Sequence, residues 1–163
     1  WSSDVCSSDL HINYQGHHKH SYHLILHGDF LGMSPEAQVI VAHVARFHRG
    51  APPSRKRHPE FGELEQPIRR RVRRLAAILR IADGFDRGHV AAVDKVRVRW
   101  LERAVRITPV AAPKAQSLRL ELWGAARKAA LLERVAGLPV EIVGPEGRPV
   151  RGDDAGDASA AAD

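Results

Sequence analysis

Along this chain the apolar residues recur with two different periods, and the change falls near residue 90. Before it the spacing is helical. His18–His27 (HKHSYHLILH) reads as one helix, closed by Gly28-Asp29. Met33-Ser34-Pro35-Glu36 marks a second helix start, with Ser at the N-cap, Pro in the first turn and an acid at the positive end of the dipole. That helix runs through Val39, Ile40, Ala42 and Val44 to about Phe47. A Pro- and Arg-rich loop follows, from Gly50 to Pro59, with no periodicity. A long helix is then predicted from about Glu65 to Asp86. Its apolar positions Ile68, Val72, Leu75, Leu79 and Ala82 recur at steps of four and three and trace one face.

After Gly88 the period becomes two. Val96-Arg97-Val98-Arg99-Trp100 and Ala104-Val105-Arg106-Ile107-Thr108 alternate apolar and basic across a short turn, as hairpin strands do. Ser117 to Leu122 alternates again and predicts a third strand. Gly124 to Ala136 reads as a helix ending at Gly137, a good C-cap residue, and Leu138 to Val143 as a last strand before Gly144-Pro145. The expected fold class is therefore α+β: an all-α region over 11–90, then a small β-β-β-α-β module over 91–144. The tail, 145–163, is rich in Gly, Asp and Ala and has almost nothing to bury, so it is expected to be disordered. The chain has no internal repeat and no Gly-rich phosphate loop.

Residues 1–10 stand apart. WSSDVCSSDL follows neither period, is too short and polar for a signal peptide, and reads as the translation of a common sequencing adapter. The expectation is that these ten residues are an artefact and that native sequence begins at His11. About 150 residues remain, enough for one medium domain or two small ones.

Composition narrows the function classes. The single cysteine, Cys6, lies within the first ten residues, so a disulfide framework is excluded and a reducing, cytoplasmic setting is expected. No apolar run reaches the ~20 residues that span a bilayer, and no membrane association is expected. The formal charge of +6 comes from 25 Lys+Arg against 19 Asp+Glu, with Arg predominating, and favours a polyanionic partner.

Two groups of side chains carry candidate chemistry. Nine of the ten histidines fall within residues 11–58, and imidazole is the commonest metal ligand. His20, His23 and His27 share one helix face, but a metal needs a further ligand. His17, His23 and His27 are expected to face solvent or cap the helix, leaving His20 as the best single candidate. His48 ends its helix. Asp83 lies near the apolar stripe, where a carboxylate must be paired or ligating; a salt bridge with Arg80 or Arg87 and metal ligation both remain open. The second group is basic. Arg69-Arg70-Arg71-Val72-Arg73-Arg74 places five arginines in six residues, with Arg55-Lys56-Arg57 nearby in the chain. Such a run can be the solvated face of an amphipathic helix, yet its self-repulsion favours contact with a polyanion.

HINYQGHHKHSYHLIL, then VARFHRG, KRHPEF and RRLAAILRIADGFDRGH, resemble the C-terminal region of the Ppx/GppA phosphatases, which are exopolyphosphatases and guanosine pentaphosphate phosphohydrolases. ELWGAARKAALLERVAGLPVEIV resembles the family's last module, so the similarity covers about residues 11–144. The resemblance implies that 11–90 is a truncated HD-like helical domain, and that the catalytic actin-like domains belong upstream. By position His20, His48 and Asp83 look like the remaining ligand-type residues of an incomplete HD site, whose His-Asp doublet would stand just before His11. It further implies a homodimeric parent that uses divalent Mg or Mn, with no ion held tightly here, and a basic passage for polyphosphate or guanosine pentaphosphate.

Three readings follow. The first is the C-terminal part of a Ppx/GppA-type exopolyphosphatase, contributing polyphosphate binding and dimerisation but no catalytic residue. The second is a stand-alone metal-dependent HD phosphohydrolase, against which the missing doublet counts. The third is a basic RNA-binding module, which lacks the aromatic platform such modules use; no specific nucleic acid is expected.

Overall fold

The computed structural model describes residues 16–150 and residue 152. Residues 1–10 and most of the expected tail lie outside the described residues. The chain divides into two compact units, Trp1–Ala76 and Ala77–Asp163, and the division falls inside a helix.

The first unit is helical: α1 (His17–His27), α2 (Pro35–Phe47), α3 (Pro59–Glu63) and the first half of α4 (Gln66–Phe85). The helix starts and stops follow the sequence signals. Ser34 Oγ accepts the Ala37 N–H at 3.2 Å, with Pro35 in the first turn. Gln38 does something the sequence did not announce. Its Nε2 donates to the carbonyls of Ile25 (2.9 Å), Leu26 (3.2 Å) and Gly28 (2.7 Å). The open end of α1 is thus satisfied by a side chain of α2. The core holds Ile25, Ile40, Ala42, Phe47, Phe61, Val72 and Ala76, all buried.

The stripe expected on α4 is not the buried face. Val72 is buried, but Leu75 is 46% and Leu79 38% exposed, and Ala82 is exposed; Ala76, Ala77, Ile81 and Phe85 are buried instead. At 100° per residue, Val72 and Ala76 lie on a different side of α4 from Ala77, Ile81 and Phe85. A single stripe drawn along the whole helix averages over that change.

The second unit contains the remainder of α4, β1 (Val93–Trp100), β2 (Val105–Ala111), α5 (Arg119–Ala126), α6 (Ala130–Ala136), β3 (Val140–Val143) and β4 (Pro149–Val150). The sheet order is β1-β2-β3-β4. β1 and β2 are antiparallel, β2 and β3 parallel, and β3 and β4 antiparallel. Helices α5 and α6 form the crossover that the parallel pair requires. The chain is α+β as expected, but the module reads β-β-α-α-β-β.

Two differences produce that change. The segment 117–122, expected as a strand, leads into α5, whose first turn is 119–122. Its leucines at 118, 120 and 122 fit period two, but Leu118, Leu122 and Ala125 also fit a helix face and are buried, while Leu120 is 47% exposed. The helix expected from 124 to 136 is broken at 127–129 into α5 and α6. In addition, Pro149–Val150, inside the expected disordered tail, pairs with β3. The close of α6 is as expected: Gly137 adopts φ 70° and donates its N–H to the Glu133 carbonyl.

The core of the second unit is Ile81, Phe85, Ala92, Val105, Ile107, Leu118, Leu122, Ala125, Ala129 and Ile142. It includes a close helix crossing. A Cβ at Gly84 would fall 2.6 Å from the Ala125 backbone, and one at Gly124 would fall 2.6 Å from the Gly84 carbonyl oxygen. Only glycine allows the two backbones this approach.

Candidate functional site

The first unit gathers its basic residues around a turn and a short helix. The turn 54–58 is closed by the His58 N–H donating to the Ser54 carbonyl at 3.0 Å, and it carries Arg55, Lys56 and Arg57, all exposed. Gly62 of α3 packs against this turn, where a Cβ would lie 3.3 Å from the Arg55 carbonyl oxygen. Arg55, Lys56 and Gly62 line an open hollow of about 450 Å³.

Helix α4 brings its arginines to the same neighbourhood in two ways. Arg69 Nη1 donates to the Gly62 carbonyl at 3.0 Å and to the Leu64 carbonyl. The Arg73 guanidinium lies 5.0 Å from the centre of the Phe61 ring, a cation–π contact. Phe61 is itself fully buried, edge-on to Phe47 at 5.4 Å. Burial, with Arg69 and Arg55 next in weight, lowers the Arg73 pKa from its ordinary value. An arginine stays charged regardless, so positive charge is concentrated there. Arg70, Arg71 and Arg74 point outward and are exposed; of these, Arg71 pairs with Glu36 at 2.5 Å. The sequence groups these arginines as one run but does not divide anchored from displayed ones. Phe61, Gly62 and Glu36 make that division, and nothing in the sequence ties them to the arginines.

The histidines assemble differently from the expectation. His17, expected at the surface, is buried, and so is His48. His48 Nδ1 lies 2.6 Å from the Ala45 carbonyl, so it donates there and leaves Nε2 as an acceptor. His17 Nε2 then donates to His48 Nε2 at 3.2 Å. His18 stands beside them, its ring centroid 6.3 Å from that of His48. Burial, followed by the positive neighbours Arg46, His48, His17 and Lys19, pushes the His18 pKa down to about 4. His23 and His27 are exposed, as expected, and stack on one another. His20 is half-buried on α1. His43 donates from Nδ1 to the Val39 carbonyl at 2.9 Å, and burial lowers its pKa.

Asp83 belongs to the second unit, where its carboxylate is ion-paired with Lys128 Nζ, both side chains mostly buried. This partner comes from the turn between α5 and α6. His20 and His48 thus belong to one unit and Asp83 to the other. Among the described residues no group of three or more His, Cys, Asp or Glu side chains could hold a metal ion.

A sequence profile described as Ppx/GppA phosphatase, domain III, matches residues 1–122, about three quarters of the chain. The chain belongs to the Ppx/GppA phosphatase family. In this Ppx/GppA chain the match takes in the first ten residues, all four helices of the basic and histidine-bearing region, strands β1 and β2, and the start of α5. Among the described residues no helix is long and apolar enough to cross a membrane.

Proposed function

We propose that this chain serves a Ppx/GppA phosphatase as a polyanion-holding module, binding polyphosphate or guanosine pentaphosphate while terminal phosphoanhydride bonds are hydrolysed elsewhere. The observation that carries this reading is a concentration of positive charge: Arg55 and Lys56 line an open hollow with Gly62, Arg69 is bonded to the Gly62 carbonyl, Arg73 feels the charges of Arg69 and Arg55, and Arg70, Arg71 and Arg74 of the same helix are exposed. A string of phosphates matches such a surface, because each arginine offers paired donors and each phosphate two or more acceptors. Arg69 and Arg73 shape the surface, and the exposed residues make contact.

On this reading catalysis and its Mg or Mn belong to the family's actin-like domains, and the parent enzyme works as a cytoplasmic homodimer. The HD-type residues His20, His48 and Asp83 are vestigial: Asp83 is committed to Lys128, and His48 to His17. The competing reading, a stand-alone HD phosphohydrolase, needs a complete ligand set around those three residues.

Polyphosphate binding to the full chain, followed across a salt series, tests the proposal. Replacing Arg70, Arg71 and Arg74 together by Ala should weaken binding by roughly tenfold or more and reduce its salt dependence, since each phosphate contact releases counterions. His20→Ala should leave binding unchanged. Unaltered affinity in the triple arginine variant would sink the proposal, and phosphatase activity with stoichiometric bound metal would favour the HD reading.

A further inference from the structure

Strand β1 carries the apolar face of the sheet beyond its cover. The register sets Val96 opposite Pro109, Val98 opposite Ile107 and Trp100 opposite Val105, so these six side chains stand on one face. On β2 all three are buried. On β1 Val96, Val98 and Trp100 are 45%, 53% and 67% exposed. β1 is also an end strand: β2 occupies one side, and among the described residues no strand occupies the other.

Edges of this kind are ordinarily guarded by proline, a bulge or a charge pointing inward. The irregularity between Val93 and Lys95 leaves Val96–Trp100 regularly paired with β2, and the stretch contains no proline. Its charges, Lys95, Arg97 and Arg99, alternate with the apolar residues and so project to the opposite face. Among the described residues neither Arg97 nor Arg99 forms an ion pair. The edge therefore presents three things together: backbone groups that no strand pairs with among the described residues, an apolar row and a basic row.

The basic row decides what fits. Antiparallel registers that overlay Val96–Trp100 on a second copy of itself and keep the valines on one side set Arg97 opposite Arg97, or opposite Lys95 or Arg99. Like charges directly opposite are unfavourable, so a second copy is poorly matched to this edge. We propose that β1 is a docking edge for an extended segment of another protein in which apolar and acidic residues alternate. Its backbone pairs with the free edge, its apolar residues lie over Val96, Val98 and Trp100, and its acids meet Lys95, Arg97 and Arg99.

Two fluorescent synthetic peptides test this on the full chain, one alternating valine with glutamate and one alternating valine with lysine. The glutamate peptide should bind and the lysine peptide should not. Val98→Lys should weaken the glutamate peptide roughly tenfold, the combined effect of several disturbed cross-strand pairs. Arg97→Glu with Arg99→Glu should reverse the preference towards the lysine peptide. Equal binding of both peptides, or binding of neither, would overturn the proposal. So would a concentration-dependent dimer that Val98→Lys dissociates and the glutamate peptide leaves intact, because the edge would then belong to a second copy.

Discussion

Both units display arginine, and they hold it in opposite ways. In the first unit Arg69 is tied to two carbonyls, Arg73 rests on the buried Phe61 ring and Arg71 is paired with Glu36. These contacts fix a surface of concentrated positive charge. In the second unit Arg97 and Arg99 alternate with exposed valines on an open strand, and no packing fixes them. A pre-shaped basic surface suits a repetitive, highly charged ligand, because little side-chain freedom is lost on binding. A basic row on a free edge suits a partner that brings its own backbone. The same residue type thus points to two kinds of ligand, and the difference lies in what stands behind the guanidinium.

The largest test of this contrast removes the support. Phe61→Ala empties a fully buried aromatic site and should cost about 3–5 kcal/mol. Hydrogen exchange should show protection lost first in α1, α2 and α3, with polyphosphate affinity falling too because Arg73 loses its platform. Equal loss of protection across β1–β3 would break the distinction between the units. The converse variant is Gly84→Ala. Its new methyl group would press on the Ala125 backbone, and overpacking of this kind costs about 1–3 kcal/mol or more. Here the amides of α5 and the sheet should lose protection first. A Gly84→Ala chain as stable as the parent would show that the close helix crossing is not a constraint.

How much of this the sequence disclosed depended on whether the deciding contact was local. The start of α2 at Ser34-Pro35 and the close of α6 at Gly137 were legible, because a cap is written within a few residues of itself. The segment 117–122 was not. Its leucines satisfy period two and a four-residue spacing at once, and only the burial of Leu118 and Leu122 with Ala125 selects the helix. The buried face of α4 was misread because its two halves bury different sides. In the candidate site the arginine run was plain, whereas the burial of His17 and the pairing of Asp83 with Lys128, 45 residues away, depend on the tertiary fold.

That last pair gives an intermediate effect. Both side chains are mostly buried, so Asp83→Asn removes the carboxylate charge that faces Lys128 and should cost about 2 kcal/mol. Adding Lys128→Met should recover much of the loss, because it removes the buried ammonium charge that Asp83→Asn strips of its carboxylate. A double variant no more stable than the single one would mean that Asp83 has a further obligation, such as a ligand.

The smallest expected effect concerns pH and again separates the units. His18 is held at a pKa of about 4, and burial also lowers the pKa of His43 and His58, all three in the first unit. Unfolding returns each to an ordinary value near 6.5, so the unfolded chain binds more protons in the interval between. Stability from these groups is therefore complete above about pH 6.5 and is lost as pH falls towards the folded values. Between pH 6.5 and 5 the first unit should lose hydrogen-exchange protection ahead of the second, with the melting temperature dropping by roughly 3 °C. His18→Gln should flatten that decline, since glutamine presents no titrating group to Arg46, His17, His48 and Lys19. If the His18→Gln profile matched the parent's slope, the decline would have to come from acids elsewhere, and acid would no longer distinguish the two units.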